Sequence, residues 1–191
     1  MSLRKIAVIG HPILRERARE LTREELAHPQ MQHFIDDLVE TMRDANGAGI
    51  AANQVYEPVR ICAIEIANNP RYPYKPNWPL GILVNPVVTA TTEENFLNFE
   101  GCLSVPNLRG QVQRFTRVRV RAWDRAAREL DFEVNGLTAG TFQHELDHLD
   151  GKLFVDRLAD TRTLCTLTEF ERFYKDAFAQ QARDLVARYG S

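Results

Sequence analysis

Apolar residues near the start of the chain recur at the spacing of a helix. From Met31 to Met42 they follow one another at helical intervals, which predicts an amphipathic helix over residues 29–45. Pro29 suits the first turn of this helix, where its missing N–H leaves no hydrogen bond unmade. The Asn-Gly pair that follows suits its end, so we expect one apolar face here to pack on a core.

Later segments favour strands. Residues 60–66 and 82–90 are rich in Ile and Val and are predicted to be strands. Over residues 117–122 and 130–134, apolar and charged positions alternate, which predicts a hairpin with one buried face. The charged stripe of its first strand consists of Arg117, Arg119 and Arg121. A nucleic-acid surface is the alternative interpretation, but acidic positions on the second strand can pair with the stripe.

Two further helices are predicted in the second half of the chain. One covers residues 136–150, with Gly151 placed to end it, and the other covers residues 168–189. The aromatic residues of the C-terminal helix, which we expect to pack, are Phe170, Phe173, Tyr174 and Phe178. Residues 68–79, rich in Asn, Pro and Tyr, are interpreted as an ordered excursion between strands.

The order of these elements predicts the fold class. Strands and helices in this order favour an α+β fold, with small antiparallel sheets packed around a central helix and a helix at the C-terminus. The sequence contains no internal repeat, no low-complexity tract and no long Gly/Ser linker. We therefore expect residues 1–191 to form a single domain.

Composition and charge exclude several classes of protein. Of the 191 residues, 44% are hydrophobic and 26% are charged, which is a globular balance rather than a disordered, collagen-like or membrane one. A formal net charge of -2 gives no electrostatic reason to expect a nucleic-acid or membrane partner. No segment has the pattern of a signal peptide or a membrane span. Three irregularly spaced cysteines argue against a disulfide framework, so we expect a cytoplasmic protein.

The strongest chemical signal is the sequence His-Glu-Leu-Asp-His at residues 144–148. Because positions i and i+4 share one face of a helix, His144 and His148 can bind the same metal ion. Glu145, next to the first ligand, can then hold a water molecule at that metal. The same spacing also arises by chance on ordinary helices, so the motif alone leaves both interpretations open.

Two other segments can complete such a site. A catalytic metal needs a third protein ligand, and Cys102 would supply it, although a buried, unreactive cysteine is the alternative. Glu169 and Glu171 are downstream candidates that lie in no recognisable motif. The small residues that precede Gln54 let the backbone approach a ligand, and Gln54 can donate to an oxyanion. A tight connection with an exposed Gln is the alternative for this segment.

Taken in order, these three segments resemble the signature motifs of the peptide deformylase family. They read GAGIAANQ at residues 47–54, EGCLS at residues 100–104 and QHELDHLDG at residues 143–151. With the opening GHPILR, also similar to the family, the resemblance spans residues 5–160. It implies a metal-dependent hydrolase that removes the formyl group from the N-terminal formyl-methionine of nascent polypeptides and releases formate.

The resemblance also implies roles for individual residues. Cys102, His144 and His148 would bind the metal, and Glu145 would be the acid/base. The oxyanion donors would be the Gln54 amide and the Leu103 backbone N–H. The residues expected to bind the substrate are Gly47, Ala48, Gly49, Gly140 and Thr141. The family often has larger residues at the last two of these positions, so the width of the methionine pocket stays open.

The ligand types and the resemblance favour different metals. Cys and His ligands alone favour Zn²⁺, whereas the resemblance implies Fe²⁺ as the physiological ion, replaceable by Zn²⁺, Ni²⁺ or Co²⁺. The implied partners are a formyl-methionyl peptide and, transiently, the ribosome, with no membrane and no specific nucleic acid. Arg114 and Asp147 are predicted to form an ion pair that orients the metal-binding helix. Ile50, Asn53 and Gln113 depart from the commonest family pattern without removing a catalytic group.

Two other functions compete with this interpretation. A zinc endopeptidase would use a ligand downstream of His148, and Cys102→Ser would then leave metal binding and activity intact. A non-catalytic, ribosome-associated or structural metal-binding module needs neither Glu145 nor Gln54. A structural site is also normally closed by a fourth protein ligand.

Overall fold

The computed structural model describes residues 2–67 and 74–190. Its helices are α1 (Arg23–Ala27), α2 (Pro29–Asp44), α3 (Gly136–Leu149), α4 (Leu167–Phe173) and α5 (Lys175–Tyr189). Its strands are β1 (Gly49–Ala51), β2 (Ile61–Ile66), β3 (Trp78–Ala90), β4 (Asn95–Cys102), β5 (Val105–Phe115), β6 (Arg117–Trp123), β7 (Glu129–Asn135) and β8 (Cys165–Thr166). The first half of the excursion expected over residues 68–79 lies outside the described residues, and its end belongs to β3. The α+β class is confirmed.

The described strands form two antiparallel sheets. One contains β1, β2, β3, β6 and β7 in that order, and the other contains β4, β5 and β8. The predicted hairpin is β6–β7, where Val118 faces Val134 on the buried side. On the outer side the Nε of Arg119 lies 2.6 Å from the Oδ1 of Asp131, diagonally across the ladder. The arginine stripe is therefore exposed and partly paired with the acidic strand.

The predicted first helix is α2, which begins at Pro29 as expected. Five of its apolar side chains are at most 6% exposed and pack against β2 and β3, namely Phe34, Ile35, Leu38, Val39 and Met42. Burial of each such side chain stabilises the fold by about 1.5–3 kcal/mol. This apolar face holds α2 against the larger sheet.

The central helix is α3, which contacts strands of both sheets and also α5. Residues of α3 are buried on most sides, as expected for a helix in a protein interior. Gly151 has a φ of +72°, and a Cβ there would lie 2.5 Å from the Arg15 carbonyl oxygen. The predicted end of this helix at Gly151 is confirmed, since a side chain would be both strained and blocked.

The prediction of one continuous C-terminal helix over residues 168–189 is wrong. The segment forms α4 and α5, which are separated at Tyr174, where φ is -120° and ψ is -22°. The break lets both Phe170 and Phe178 pack on Phe99, with ring centroids 5.0 and 5.6 Å away. Phe173 is 61% exposed, so the packing expected for this residue is also wrong.

No helix within residues 2–67 and 74–190 is long and apolar enough to cross a membrane.

Candidate active site

The end of β4 brings Cys102 next to α3. Because side chains alternate along a strand, Asn98, Glu100 and Cys102 lie on one face of β4. A tight turn then leads into β5, and the Ser104 N–H donates to the Cys102 Sγ at 3.3 Å. Cys102 is 4% exposed, so the chain places this thiol in the interior at a strand end.

The three predicted metal ligands are close together. The Cys102 Sγ lies 3.2 Å from the Nε2 of His148, and the rings of His144 and His148 have centroids 4.9 Å apart. One ligand atom from each of the three residues lies within 4.8 Å of the others. Among the described residues, the buried Nδ1 of His148 has no hydrogen-bond partner. One thiolate and two imidazoles suit a divalent transition metal, and these residues fit such an ion.

The electrostatics of this cluster favour a thiolate. Burial acts to raise the pKa of the Cys102 thiol, but the imidazoles of His148 and His144 outweigh it and hold that pKa well below its usual value. Conversely, burial acts to lower the pKa of His144, and its hydrogen bonds with Cys102 and Glu100 raise it well above normal. A thiolate is the form of cysteine that binds a metal.

A buried ion network fixes the orientation of His144. The His144 Nδ1–H donates to the Oε2 of Glu100 at 2.8 Å, so its Nε2 is left to face Cys102. The guanidinium of Arg114 donates twice to Glu100, at 2.8 and 2.9 Å, and once to Asp147 at 2.6 Å. The predicted Arg114–Asp147 pair is present, and Glu100 extends it to His144, one of the predicted metal ligands. Burial opposes ionisation of Glu100, but the charge and hydrogen bonds of Arg114 outweigh this effect. The pKa of Glu100 therefore lies well below its usual value.

Glu145 lies beside this cluster and is 4% exposed. Its Oε2 is buried and makes no hydrogen bond within the part of the chain that the structure describes. Burial raises the pKa of Glu145 above its usual value. A Cβ at Gly49 would lie 2.4 Å from the Oε1 of Glu145, so β1 approaches the carboxylate closely because Gly49 has no side chain.

Gln54 is held with its amide nitrogen toward the cluster. Its Oε1 accepts from the Ala51 N–H at 2.8 Å, while its Nε2 donates to the Ser104 Oγ at 3.0 Å. The same Nε2 is 3.6 Å from the Cys102 Sγ. Gln54 is 2% exposed, which contradicts the alternative of a connection with an exposed Gln. Its amide nitrogen therefore faces the cluster from the side of Cys102 and Ser104.

One cavity joins nearly all the residues expected at the site. Its walls include Gln54, Cys102, Leu103, His144 and Glu145, together with Gly47, Ala48, Gly49, Gly140 and Thr141. His148 belongs to the same cluster but is only 1% exposed and is not among the residues that line the cavity. The downstream candidates Glu169 and Glu171 are exposed and do not line this cavity.

The same cavity is lined by residues that the sequence analysis did not assign. They are Lys75, Asn98, Phe99, Glu100 and Gly101. Counting back from Cys102 in steps of two would have placed Glu100 and Asn98 on the same strand face. No periodic pattern could have found Lys75, because it precedes β3 in an irregular segment.

The sequence model of the polypeptide deformylase family matches residues 3–163 of the chain. Peptide deformylase 1 of Nitrosomonas europaea is 36% identical over 160 residues, which cover 84% of this chain and 90% of that protein. Peptide deformylase of Heliobacterium modesticaldum is 40% identical over 158 residues, covering 83% of this chain and 95% of that protein. These matches include all three motifs, whereas α4 and α5 follow the end of the family match.

The fold of this chain is also similar to the folds of solved peptide deformylase structures. The Met-Ala-Ser-bound class I type b peptide deformylase from Acinetobacter baumannii superposes with a TM-score of 0.79 at 37% identity, covering 82% of this chain and 99% of that one. A peptide deformylase from Synechococcus elongatus in complex with actinonin gives a TM-score of 0.74 at 30% identity, covering 94% and 88%. Identity of 30% or more over most of both chains extends the similarity beyond the fold to the family.

Proposed function

Since this chain belongs to the polypeptide deformylase family, we propose that it removes the formyl group from the N-terminal formyl-methionine of nascent polypeptides and releases formate. The observation that carries the proposal is the buried Cys102, His144 and His148 cluster, with Glu145 and Gln54 beside it in one cavity. A structural metal site would need neither the acid/base nor the amide donor. The exposed positions of Glu169 and Glu171 also argue against the endopeptidase alternative.

Cys102, His144 and His148 would hold one divalent metal ion in this proposal. Fe²⁺ is the proposed physiological ion, with Zn²⁺, Ni²⁺ or Co²⁺ able to replace it. When bound, such an ion supplies Lewis acidity and lowers the pKa of a water molecule. The hydrogen bond from His144 to Glu100 supports the proposal, because it fixes the tautomer that leaves Nε2 as a ligand.

Glu145 would move the proton in this reaction. Its carboxylate takes a proton from water as the water oxygen bonds to the formyl carbon, and it returns that proton to the nitrogen as the carbon–nitrogen bond breaks. The products are formate and a free amino terminus. A carboxyl whose pKa is raised by burial is suited to both directions of transfer near neutral pH.

Gln54 and Leu103 would stabilise the negative charge that develops on the formyl oxygen. The Gln54 Nε2 is already aimed at the cluster, and the Leu103 N–H lies in the turn directly after Cys102. Donors fixed before the reaction typically contribute about 3 kcal/mol each to transition-state stabilisation.

The peptide would bind along β1 in this proposal. Among the described strands, β1 lies at the edge of its sheet, so the backbone of Gly49 can pair with an extended chain. The methionine side chain would enter the cavity past Ala48, Leu103 and Gly140. A Met-Ala-Ser peptide is bound in the similar Acinetobacter baumannii structure. Such a substrate leads us to propose a cytoplasmic enzyme with transient ribosome contact.

The proposal is tested by formate release from formyl-Met-Ala-Ser with wild type, Glu145→Gln and Glu169→Gln. We expect Glu145→Gln to keep its metal and to lose about a hundred- to ten-thousandfold in kcat, because the proton acceptor is gone. Glu169→Gln is the matched control, since this glutamate is exposed on α4. Turnover retained in Glu145→Gln, or lost in Glu169→Gln, would contradict the assigned chemistry.

A further inference from the structure

A buried asparagine joins the segment that carries Gln54 to the metal-binding helix. Asn53 precedes Gln54 in a short 3-10 turn, Ala52–Val55, and its side chain is fully buried. The Asn53 Nδ2 donates to the backbone carbonyl of His148. That carbonyl lies in the last turn of α3, where the helix itself offers it no partner. The amide of Asn53 therefore contacts the residue whose imidazole is a predicted metal ligand.

One edge of the His148 ring has no partner. Its Nε2 faces the Cys102 Sγ at 3.2 Å, so its Nδ1 lies on the side of the ring away from that thiol. This Nδ1 is buried and makes no hydrogen bond within residues 2–67 and 74–190. With Nε2 as the ligand atom, Nδ1 carries the proton, and a metal-binding histidine nearly always donates that proton to an acceptor. At His144 the acceptor is Glu100, whereas His148 needs a different one.

Four buried side-chain oxygens in the described part of the chain also lack a partner, and they belong to Asn53, Asn98, Thr138 and Glu145. Thr138 lies about 15 Å from His148 along the axis of α3. Asn98 and Glu145 line the cavity, whereas neither Asn53 nor His148 does. Of the four residues, Asn53 is therefore the one that lies behind the cavity wall with His148 and already bonds to it.

We propose that Asn53 is a positioning residue for His148. Its Nδ2 holds the backbone of His148, and its Oδ1 accepts from the Nδ1–H of the same residue, directly or through one water molecule. The inference rests on the proposed function, because it requires that His148 binds the metal through Nε2. An acceptor at Nδ1 fixes the tautomer and orientation of the ring and raises the basicity of Nε2. Asn53 thus does for His148 what Glu100 does for His144.

The place of Asn53 in the chain also connects two parts of the site. The next residue, Gln54, aims its amide nitrogen at the Cys102 Sγ. Because Asn53 and Gln54 lie in one short turn, the contact with His148 also sets the position of the proposed oxyanion donor relative to the metal ligands.

The test compares Zn²⁺-loaded wild type, Asn53→Leu and Val55→Ala. Leucine is close to asparagine in size but has neither the donor nor the acceptor. We therefore expect Zn²⁺ affinity, measured by competition with a chelator, to fall about ten- to a hundredfold in Asn53→Leu. Val55→Ala is the matched control, since Val55 is 3% exposed in the same turn and has no polar atom in its side chain. It should lose packing and keep the Zn²⁺ affinity of wild type.

A second measurement reports on the His148 ring itself. Isotope-labelled histidine in the Zn²⁺-loaded proteins gives separate NMR signals for the Nδ1–H groups of His144 and His148. In wild type and Val55→Ala we expect both protons to resonate downfield, as hydrogen-bonded protons do. In Asn53→Leu only the His148 signal should lose that shift, whereas a general loss of packing would disturb both signals.

Equal Zn²⁺ affinity in folded Asn53→Leu and Val55→Ala, or an unchanged His148 signal in Asn53→Leu, would overturn the inference. A wild-type His148 Nδ1 proton that resonates like an unbonded imidazole N–H would do the same, even if Asn53→Leu did not fold. These results would leave the deformylase proposal intact, because wild type would still bind its metal and release formate. Wild type that binds no Zn²⁺ through His144 and His148 would contradict the metal site of that proposal itself.

Discussion

Two neighbouring carboxyl groups at the site behave in opposite ways. Burial acts to raise the pKa of both Glu100 and Glu145, and at Glu145 this effect prevails. At Glu100 the charge and hydrogen bonds of Arg114 outweigh it, so this carboxylate stays ionised and orients His144. In the proposed mechanism one carboxyl therefore exchanges a proton while the other holds His144 in place, and this division of roles is set by environment.

The position of Glu145 depends on the missing side chain of Gly49. In Gly49→Ala the new Cβ would meet the carboxylate at 2.4 Å, so we predict that the carboxylate shifts and kcat falls by up to about a hundredfold. The measurement is kcat for formate release together with the midpoint of thermal unfolding.

Gly81→Ala is the matched control for this change. Gly81 also lies in a strand, but a Cβ there would have its nearest neighbours at 4.0 Å. We expect its kcat to equal that of wild type. A Gly49→Ala variant as active as the control would show that the close approach of β1 does not position Glu145.

Two strands of the smaller sheet are tied to α3 by one buried arginine. Arg114 of β5 bonds to Glu100 of β4 and to Asp147 of α3, and each of the three residues is at most 6% exposed. Breaking such a pair by removing one partner is costly, because the remaining charges stay buried without compensation. The network therefore links β4, which ends at Cys102, to α3, which carries His144 and His148.

We predict that Arg114→Ala lowers the free energy of unfolding by about 3–5 kcal/mol and weakens metal binding about ten- to a hundredfold. The measurements are urea unfolding and metal titration. Arg157→Ala is the control, since this arginine also bonds to Asp147 but its side chain is 45% exposed. Such exposed pairs contribute at most about 1 kcal/mol. Full metal affinity in Arg114→Ala would contradict the orienting role.

Elements with a strong local period could be predicted from the sequence. The α2 helix and the β6–β7 hairpin have apolar positions that repeat within the element itself, whereas α3 was predicted from its His-Glu-Leu-Asp-His motif and from Gly151. The break between α4 and α5 could not be predicted, because it depends on Phe99, a residue distant in sequence on which both helices pack. The short strand β1 is recognisable only through its pairing with β2.

The residues of the site also differ in whether the sequence alone could predict them. The three motifs pointed to the residues proposed as metal ligands and acid/base, because motif residues carry their chemistry in their own types and spacing. Lys75 lines the cavity because of the course that the chain takes before β3. Nothing in the local sequence of Lys75 indicates that position. Asn98 could be placed at the site only if β4 was known to be a strand. The mixed composition of β4 does not indicate a strand.

At the scale of the whole molecule, α3 joins the two sheets into one site. The larger sheet contributes β1 with Gly49, the smaller sheet contributes Cys102 at the end of β4, and α3 contributes both histidines. Motifs far apart in sequence therefore meet in one cavity. We propose that this cavity hydrolyses the formyl group of a peptide and that Cys102 completes its metal site.

Both parts of this proposal are tested by formate release from formyl-Met-Ala-Ser with wild type and Cys102→Ser. Both proteins would be loaded with Fe²⁺ or Ni²⁺ without oxygen, and their metal content would be measured in the same samples. We predict formate release by wild type and loss of both tight metal binding and release in Cys102→Ser. Release by Cys102→Ser at the wild-type rate, or none by wild type with its metal bound, would contradict the proposal.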